Sequence, residues 1–458
     1  MRSRLALALL TLAVASAASS SHADDTPRSA DAGAGAADQA TPATSLTSDQ
    51  RRDPSRFRGR TSFATADEVL SWIPRVLFFP LYLFSEYVLR VPSVAGAAWM
   101  DRNHVVPILD HVFNPTPDIH WAPTLALDSI NFLVVGVEAR WRNFLVRGHE
   151  ISGSAETSAF EGWRFKARDS WQIGKSPVSV GARGMFFTRQ DLTFYGLGPS
   201  SKEADQTYYS ETLGEGFAFA AYDYRDNAHL ELSGGFRDVS TGGSSNLPSI
   251  QSRFWPTLIP GLGEEIGLAT VALDLRLDSR IVRDQSGGFR VVGNASYARD
   301  VQDSERSFLS TLVDAEGAIE VSRPDRVLSL RGRFADTFAL GQRPVPFTEQ
   351  PMLGWSNHFG FHWGRFRGES ALMAEVRYRY PIAYFIDMQW ILSVGNVFSH
   401  DFGDFNLGAL TTSMGVGFRT RRTDRTPLEL VFALGTSRFD EAFDVQSVGV
   451  YLATTEGL

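Results

Sequence analysis

Downstream of about residue 119 the hydrophobic positions of the chain recur every second residue, which is the signature of a β-strand with two unlike faces. Along Thr270–Asp278, Val271, Leu273, Leu275 and Leu277 share one face, and Asp274, Arg276 and Asp278 the other. Along Ser310–Val321 the row Thr311, Val313, Ala315, Gly317, Ile319 and Val321 opposes Asp314, Glu316 and Glu320. Leu328, Leu330 and Phe334 alternate with Ser329, Arg331 and Arg333, and Leu372, Ala374, Val376, Tyr378 and Tyr380 with Met373, Glu375, Arg377 and Arg379. Strands of roughly ten residues, apolar on one side and charged on the other, fit a wall between lipid and a watery lumen. A soluble sandwich also alternates, but its strands are commonly about five or six residues long.

This period predicts about sixteen strands, at 119–128, 131–142, 147–156, 160–170, 177–189, 208–223, 228–238, 267–279, 287–298, 307–321, 326–338, 370–380, 385–395, 408–420, 427–437 and 445–454. The gaps after even-numbered strands are all short. Most long gaps, at 190–207, 239–266, 339–369 and 396–407, follow odd-numbered strands. Outer-membrane barrels have short periplasmic turns and longer outer loops, so the asymmetry predicts periplasmic termini and a first strand running outward. The expected fold is therefore all-β: a transmembrane antiparallel barrel of residues 119–458, preceded by an apolar helical segment.

Upstream the pattern differs. Arg2 and Arg4 precede an apolar run from Leu5 to Ala17, and Ala15-Ser16-Ala17 or Ser21-His22-Ala23 offers a cleavage site, so residues 1–23 read as a secretory signal peptide. Residues 24–60, rich in Ala, Ser, Thr, Asp and Gly, read as a disordered leader ending in the basic run Arg51 to Arg60. Within 61–118, Thr65-Ala66-Asp67-Glu68 is a capping-box pattern before an apolar stretch that Pro74 and Pro80 interrupt. It is expected to form helical turns at a membrane interface or against the barrel.

Composition narrows the function classes. The 458 residues include 40 Gly, 33 Phe, 10 Trp and no Cys, with a formal charge of −8. The charge supplies no basic surface for nucleic acid. Without Cys, disulfide frameworks, Fe–S clusters and thiol catalysis drop out. No Gly-x-Ser-x-Gly elbow, phosphate-binding Gly-rich loop or His-Glu-x-x-His is present, so no catalytic activity and no cofactor is expected. His358 and His362 are four apart but lie in a Gly- and aromatic-rich loop, which disfavours a metal pair. Paired acids such as Glu316 with Glu320 are what any charged lumen face produces at period two.

Four stretches resemble the Omp85 or bacterial surface antigen D15 barrels. They are Asp278-Ser279-Arg280 followed by Gly287-Gly288, the long loop from Gly354 to Gly368 leading into the strand from Ser370 to Pro381, Val394-Gly395-Asn396-Val397-Phe398, and Met414 to Arg419. The resemblance implies a sixteen-stranded barrel with five strands after its long sixth loop, and the segmentation leaves five after residue 369. It also implies that this loop folds into the lumen, where an Arg in an Arg-Gly-Phe/Tyr tip pairs with acidic groups. Here the tip is Phe359-Gly360-Phe361, and Ser393 stands at the position of the family's main acidic partner, so both ends of that pair are missing. Glu375 keeps a second acidic position beside Arg377 and Arg379, and Arg365 or Arg367 is a candidate substitute partner. No POTRA pattern is visible before the barrel, which suggests a short, barrel-only member. The last strand carries Ser447, Gly449 and Leu452 of a barrel assembly signal, with Thr454 where an aromatic is usual. The partners so implied are outer-membrane lipids, lipopolysaccharide and, during insertion, the barrel assembly machinery. The expected role is membrane biogenesis or translocation of polypeptide or lipid, with a passive, porin-like channel as the alternative.

Overall fold

The computed structural model describes residues 115–126, 134–158, 162–224, 227–246, 248–280, 287–321, 325–383, 386–420 and 428–454. The signal peptide, the leader and nearly all of the apolar helical segment lie outside the described residues.

The two-residue period becomes a single antiparallel sheet of sixteen strands in chain order. These are β1 (Ile119–Ala126), β2 (Val134–Arg142), β3 (His149–Ser158), β4 (Gly162–Gln172), β5 (Val178–Phe194), β6 (Thr207–Tyr224), β7 (Ala228–Gly243), β8 (Glu265–Asp278), β9 (Gly288–Asp300), β10 (Ser307–Glu320), β11 (Val327–Ala339), β14 (Ser370–Ala383), β15 (Ile386–Phe398), β16 (Thr411–Thr420), β17 (Leu428–Arg438) and β18 (Val445–Thr454). Two further strands, β12 (Met352–Leu353) and β13 (Phe366–Arg367), pair only with each other inside the longest loop. Every neighbouring pair from β1 to β18 forms an antiparallel ladder. The two end strands come side by side, yet no ladder joins them among the described residues.

The apolar rows face outward, as the alternation requires. Val271, Leu273, Leu330, Val376, Val448 and Val450 are all exposed on the outer wall, while Asp314, Glu375 and Arg379 on the opposite faces are buried. Trp141, Trp171, Tyr222 and Tyr224 are exposed near one rim, where indole and phenol rings suit a lipid headgroup boundary. That rim carries the short turns. The other carries the long connections at 195–206, 244–264, 340–369 and 399–410. With an even strand count, the start of β1 and the end of β18 share the short-turn rim.

The sequence segmentation finds all sixteen strands and misjudges their upper ends. β5 runs on to Phe194 and β7 to Gly243, so two loops are shorter than expected. A register shift between Arg189 and Leu192 breaks the alternation there, leaving Gln190 and Asp191 out of the ladder before pairing resumes at Leu192, which is how a bulge hides the end of a strand from a period-two reading. Conversely β16 begins at Thr411, because Leu407–Ala409 forms a 3-10 turn capped by Asn406.

Candidate functional site: the lumen hairpin and its seat

The loop after β11 enters the barrel as a hairpin, and its apolar side chains dictate where it lies. Leu353, Phe361 and Phe366 pack on Ala335, Ala371, Met373 and Val397 of the inner wall of β11, β14 and β15. Phe359 and Trp355 pack against Ile391, Val431, Ala433 and Tyr451 on β15, β17 and β18. Above them Phe347 joins Phe194, Tyr209, Ile250, Ile259 and Leu262, with Leu197 packed against them, so three long loops share one apolar cluster across the lumen. The 195–206 loop adds a backbone link, the Gly198 N–H donating to the Arg367 carbonyl at 2.8 Å.

Close approach at the tip depends on glycine. Gly360 has φ +88°, and a Cβ there would meet the backbone of Leu434 and Gly435 on β17 at 2.5–2.7 Å. Gly435 in turn leaves room for the Phe361 ring, which would lie 2.6 Å from a Cβ. The last strand completes the seat. The Tyr451 hydroxyl accepts the Gly360 N–H at 2.9 Å and donates to the Phe361 carbonyl at 3.0 Å, while Ser447 Oγ donates to the Gly360 carbonyl. Gly449 lies between them on the same face, and a Cβ there would strike the Tyr451 hydroxyl and, at 2.6 Å, its ring. Ser447 and Gly449, read from sequence as parts of an assembly signal, are therefore also the floor of the hairpin's seat. Leu452, on the opposite face, is not part of it.

Where the resemblance implies an Arg-to-acid pair, this chain has a neutral contact. His358, fully buried, shares hydrogen bonds with Ser393 Oγ at 2.8 Å through Nδ1 and with Thr411 Oγ1 at 3.1 Å through Nε2. Burial holds its imidazole neutral, pushing its pKa from 6.5 down to about 3. His362 points elsewhere, 3.7 Å from Glu203, so the two histidines share no site.

Arg365 and Arg367 do not reach Glu375, which corrects the expectation from sequence. Arg365 turns up to the 195–206 loop, pairing with Glu203 at 2.7 Å and donating to Ser201 Oγ and the Ser201 carbonyl at 2.8 Å. Arg367 donates to the Phe347 carbonyl and to Tyr209 Oη. Glu375 instead takes Arg377, 2.9 Å away on its own strand, and Arg377 also meets Glu429 at 3.3 Å beneath the Phe359 ring. Arg379 faces Asp387 at 4.0 Å. The strand-end motifs also tie segments together. Arg280 grips Asp278, and Asn396 bonds the carbonyls of Ala409 and Pro199. At Gly354, Gly368 and Gly395 a Cβ would strike neighbouring backbone within 2.8 Å, so each marks a place where the hairpin or its wall is too close for a side chain.

Sequence reasoning missed His358, Tyr451 and Arg331. The last donates to the Ser356 carbonyl at 3.4 Å and holds Asp314 at 2.6 Å. Only the odd-numbered run Ser447, Gly449, Tyr451 hints at the seat, since it places an aromatic beside a glycine on the inner face.

No known family's model matches the chain, and no curated protein matches it. Among solved structures, BamA from Haemophilus ducreyi lacking POTRA domains 1–3 superposes with a TM-score of 0.56 at 13% identity, over 73% of this chain and 70% of that one. The chain carries the BamA barrel fold. CdiB from Acinetobacter baumannii and CdiB from Escherichia coli also superpose, with TM-scores of 0.48 and 0.47 at 11% and 13% identity. They cover 74% of this chain in each case, and 60% and 62% of their own. The BamA-like architecture accords with the features expected from the Omp85 resemblance: sixteen strands, five of them after the long loop, and that loop inside the lumen.

Proposed function

We propose that this chain is an outer-membrane barrel of Omp85 type that moves a polypeptide or lipid by opening its wall, with both chain termini in the periplasm and outer-membrane lipids, lipopolysaccharide and the barrel assembly machinery as partners. The observation that carries this reading is the hairpin tip bound to β18, the strand that borders the junction with β1, where no ladder forms among the described residues. A sheet zipped by backbone hydrogen bonds everywhere else is weakest where that ladder is absent. Removing the tip would release the strand next to that junction. A passive pore is the weaker alternative, because aromatic clusters and three loops occupy the lumen's upper end. No covalent chemistry is asked of the lumen in either reading.

The test uses the lack of native Cys. Cysteine pairs scanned along β1 and β18 give disulfides that lock the junction. Loss of the chain's cellular role on oxidation and recovery on reduction support wall opening. Full activity of a locked barrel, together with large steady currents in planar bilayers, would favour the pore. The envelope of a deletion strain names the cargo: unfolded barrels, altered lipid asymmetry or a missing secreted protein each point to a different one.

A further inference from the structure

At the short-turn end of the lumen, Arg290 of β9 stands between two carboxylates and holds neither. The register sets it opposite Asp278 on β8 and opposite Glu316 on β10. Both acids are taken by Arg280, which follows β8. Its guanidinium meets Asp278 at 2.9 and 3.0 Å and Glu316 at 3.1 Å, and its backbone N–H donates to Asp278 as well. Asp314, the next carboxylate along this wall, is held by Arg331 and Arg333. Asp274 accepts from Asn294.

Arg290 is thereby left with no ion pair or hydrogen bond among the described residues, and its Nε is buried. Arg276, exposed to the lumen, lies opposite Val292, one diagonal step from Arg290 on the same inner face; its charge acts on Asp278, but it makes no ion pair or hydrogen bond among the described residues. Arg280 and Arg276 act on Arg290 as like charges, offset in part at longer range by Asp314 and Glu316. Two guanidinium groups one diagonal step apart, neither held directly by an acid, repel each other, and the buried Nε of Arg290 adds a desolvation cost. They persist where something anionic completes them.

We infer that Arg276 and Arg290 form a binding site for a phosphate-type oxyanion at the short-turn mouth of the lumen. Diagonal neighbours on adjacent antiparallel strands are about 7–8 Å apart at Cα, a span from which two long side chains converge on one tetrahedral anion. Guanidinium groups pair such oxygens in a fork that Lys does not reproduce. Arg280 acts as a positioning residue. By engaging Asp278 and Glu316 it keeps both acids from pairing directly with Arg290. The inference is independent of whether the wall opens.

The phosphate has two sources, free phosphate or the phosphomonoester of a lipid headgroup, and the test separates them. Purified barrel in an uncharged detergent is titrated with inorganic phosphate and, separately, with short-chain phosphatidate, followed by calorimetry. Saturable binding that weakens tenfold or more in Arg276→Gln and in Arg290→Gln, and stays unchanged in Lys166→Gln, supports the site. Lys166 is a lumen-facing cation on β4, well away from it in strand order. Arg280→Gln keeps both proposed ligands yet should also abolish binding, because Asp278 and Glu316 then turn to Arg290; it serves as the decisive variant if the direct ones misfold. Binding of both probes names free phosphate as sufficient, and binding of phosphatidate alone names the lipid. No saturable binding of either probe, or equal binding in both direct variants, overturns the inference.

Discussion

Tyr451 on the last strand holds Gly360 at the hairpin tip, accepting its N–H at 2.9 Å while donating to the next carbonyl at 3.0 Å. One hydroxyl thus satisfies two backbone groups that the lumen walls seal from water. Tyr451→Phe leaves the Gly360 N–H unpaired at almost unchanged shape, while the Phe361 carbonyl keeps the Trp355 N–H at 2.9 Å, so the expected cost is about 1–3 kcal/mol. The expected result is a lower urea midpoint for hairpin release and more frequent openings in planar bilayers, with the sixteen-strand circular dichroism signal retained.

Gly449 allows that ring to lie back along β18. Gly449→Ala places a methyl within 2.6 Å of the Tyr451 ring and should displace it, at an overpacking cost of about 1–3 kcal/mol. The double variant Gly449→Ala with Tyr451→Phe should be no worse than the sum of the two and is expected to be milder, since the displaced hydroxyl has nothing left to lose. A strictly additive midpoint shift would show that the two residues act separately.

His358 gives the seat a pH dependence of defined sign. Its folded pKa of about 3 lies below the ordinary 6.5, so the released form takes up a proton first. Its contribution is complete above about pH 6.5 and is lost progressively as pH falls toward 3. The groups packed on it are neutral: Ser393, Thr411, Phe361 and Phe366. Bilayer recordings should show more openings at roughly pH 4.5 than at neutrality, and His358→Gln should flatten that response. An unaltered response in the variant would assign it to the lumen carboxylates instead.

Arg365 joins the hairpin to the neighbouring outer loop. It is almost wholly buried, and breaking such a pair by removing one partner costs about 3–5 kcal/mol. Arg365→Ala should loosen the 195–206 loop and speed tryptic cleavage after Lys202. Arg365→Lys restores the charge without the fork that reaches both Glu203 and Ser201, so it should rescue only in part.

These contacts show where the chain's pattern speaks and where it is silent. Strand number, face and order follow from alternation, since each position has only two faces to choose from and the apolar set takes the outer one. The pairing of Arg365 was not legible. A long side chain in a hairpin can turn up or down the lumen, and only the cluster around Phe347 settles the direction. The replacement of a charged tip contact by His358 and Ser393 was half visible: the missing Arg and acid show in the residues, but the neutral contact needs two distant segments brought within 2.8 Å. Ser447 and Gly449 stood out for a different reason, and their role beneath the tip emerges only once Tyr451 is seen to lie across them.

The even strand count has a practical corollary. Because β1 begins and β18 ends at one rim, a peptide label fused after residue 454 and one inserted just before residue 119 must answer alike to any membrane-impermeant reagent, whichever way the barrel faces. A preparation in which one label is cut and the other spared contains barrels that never closed around their sixteenth strand.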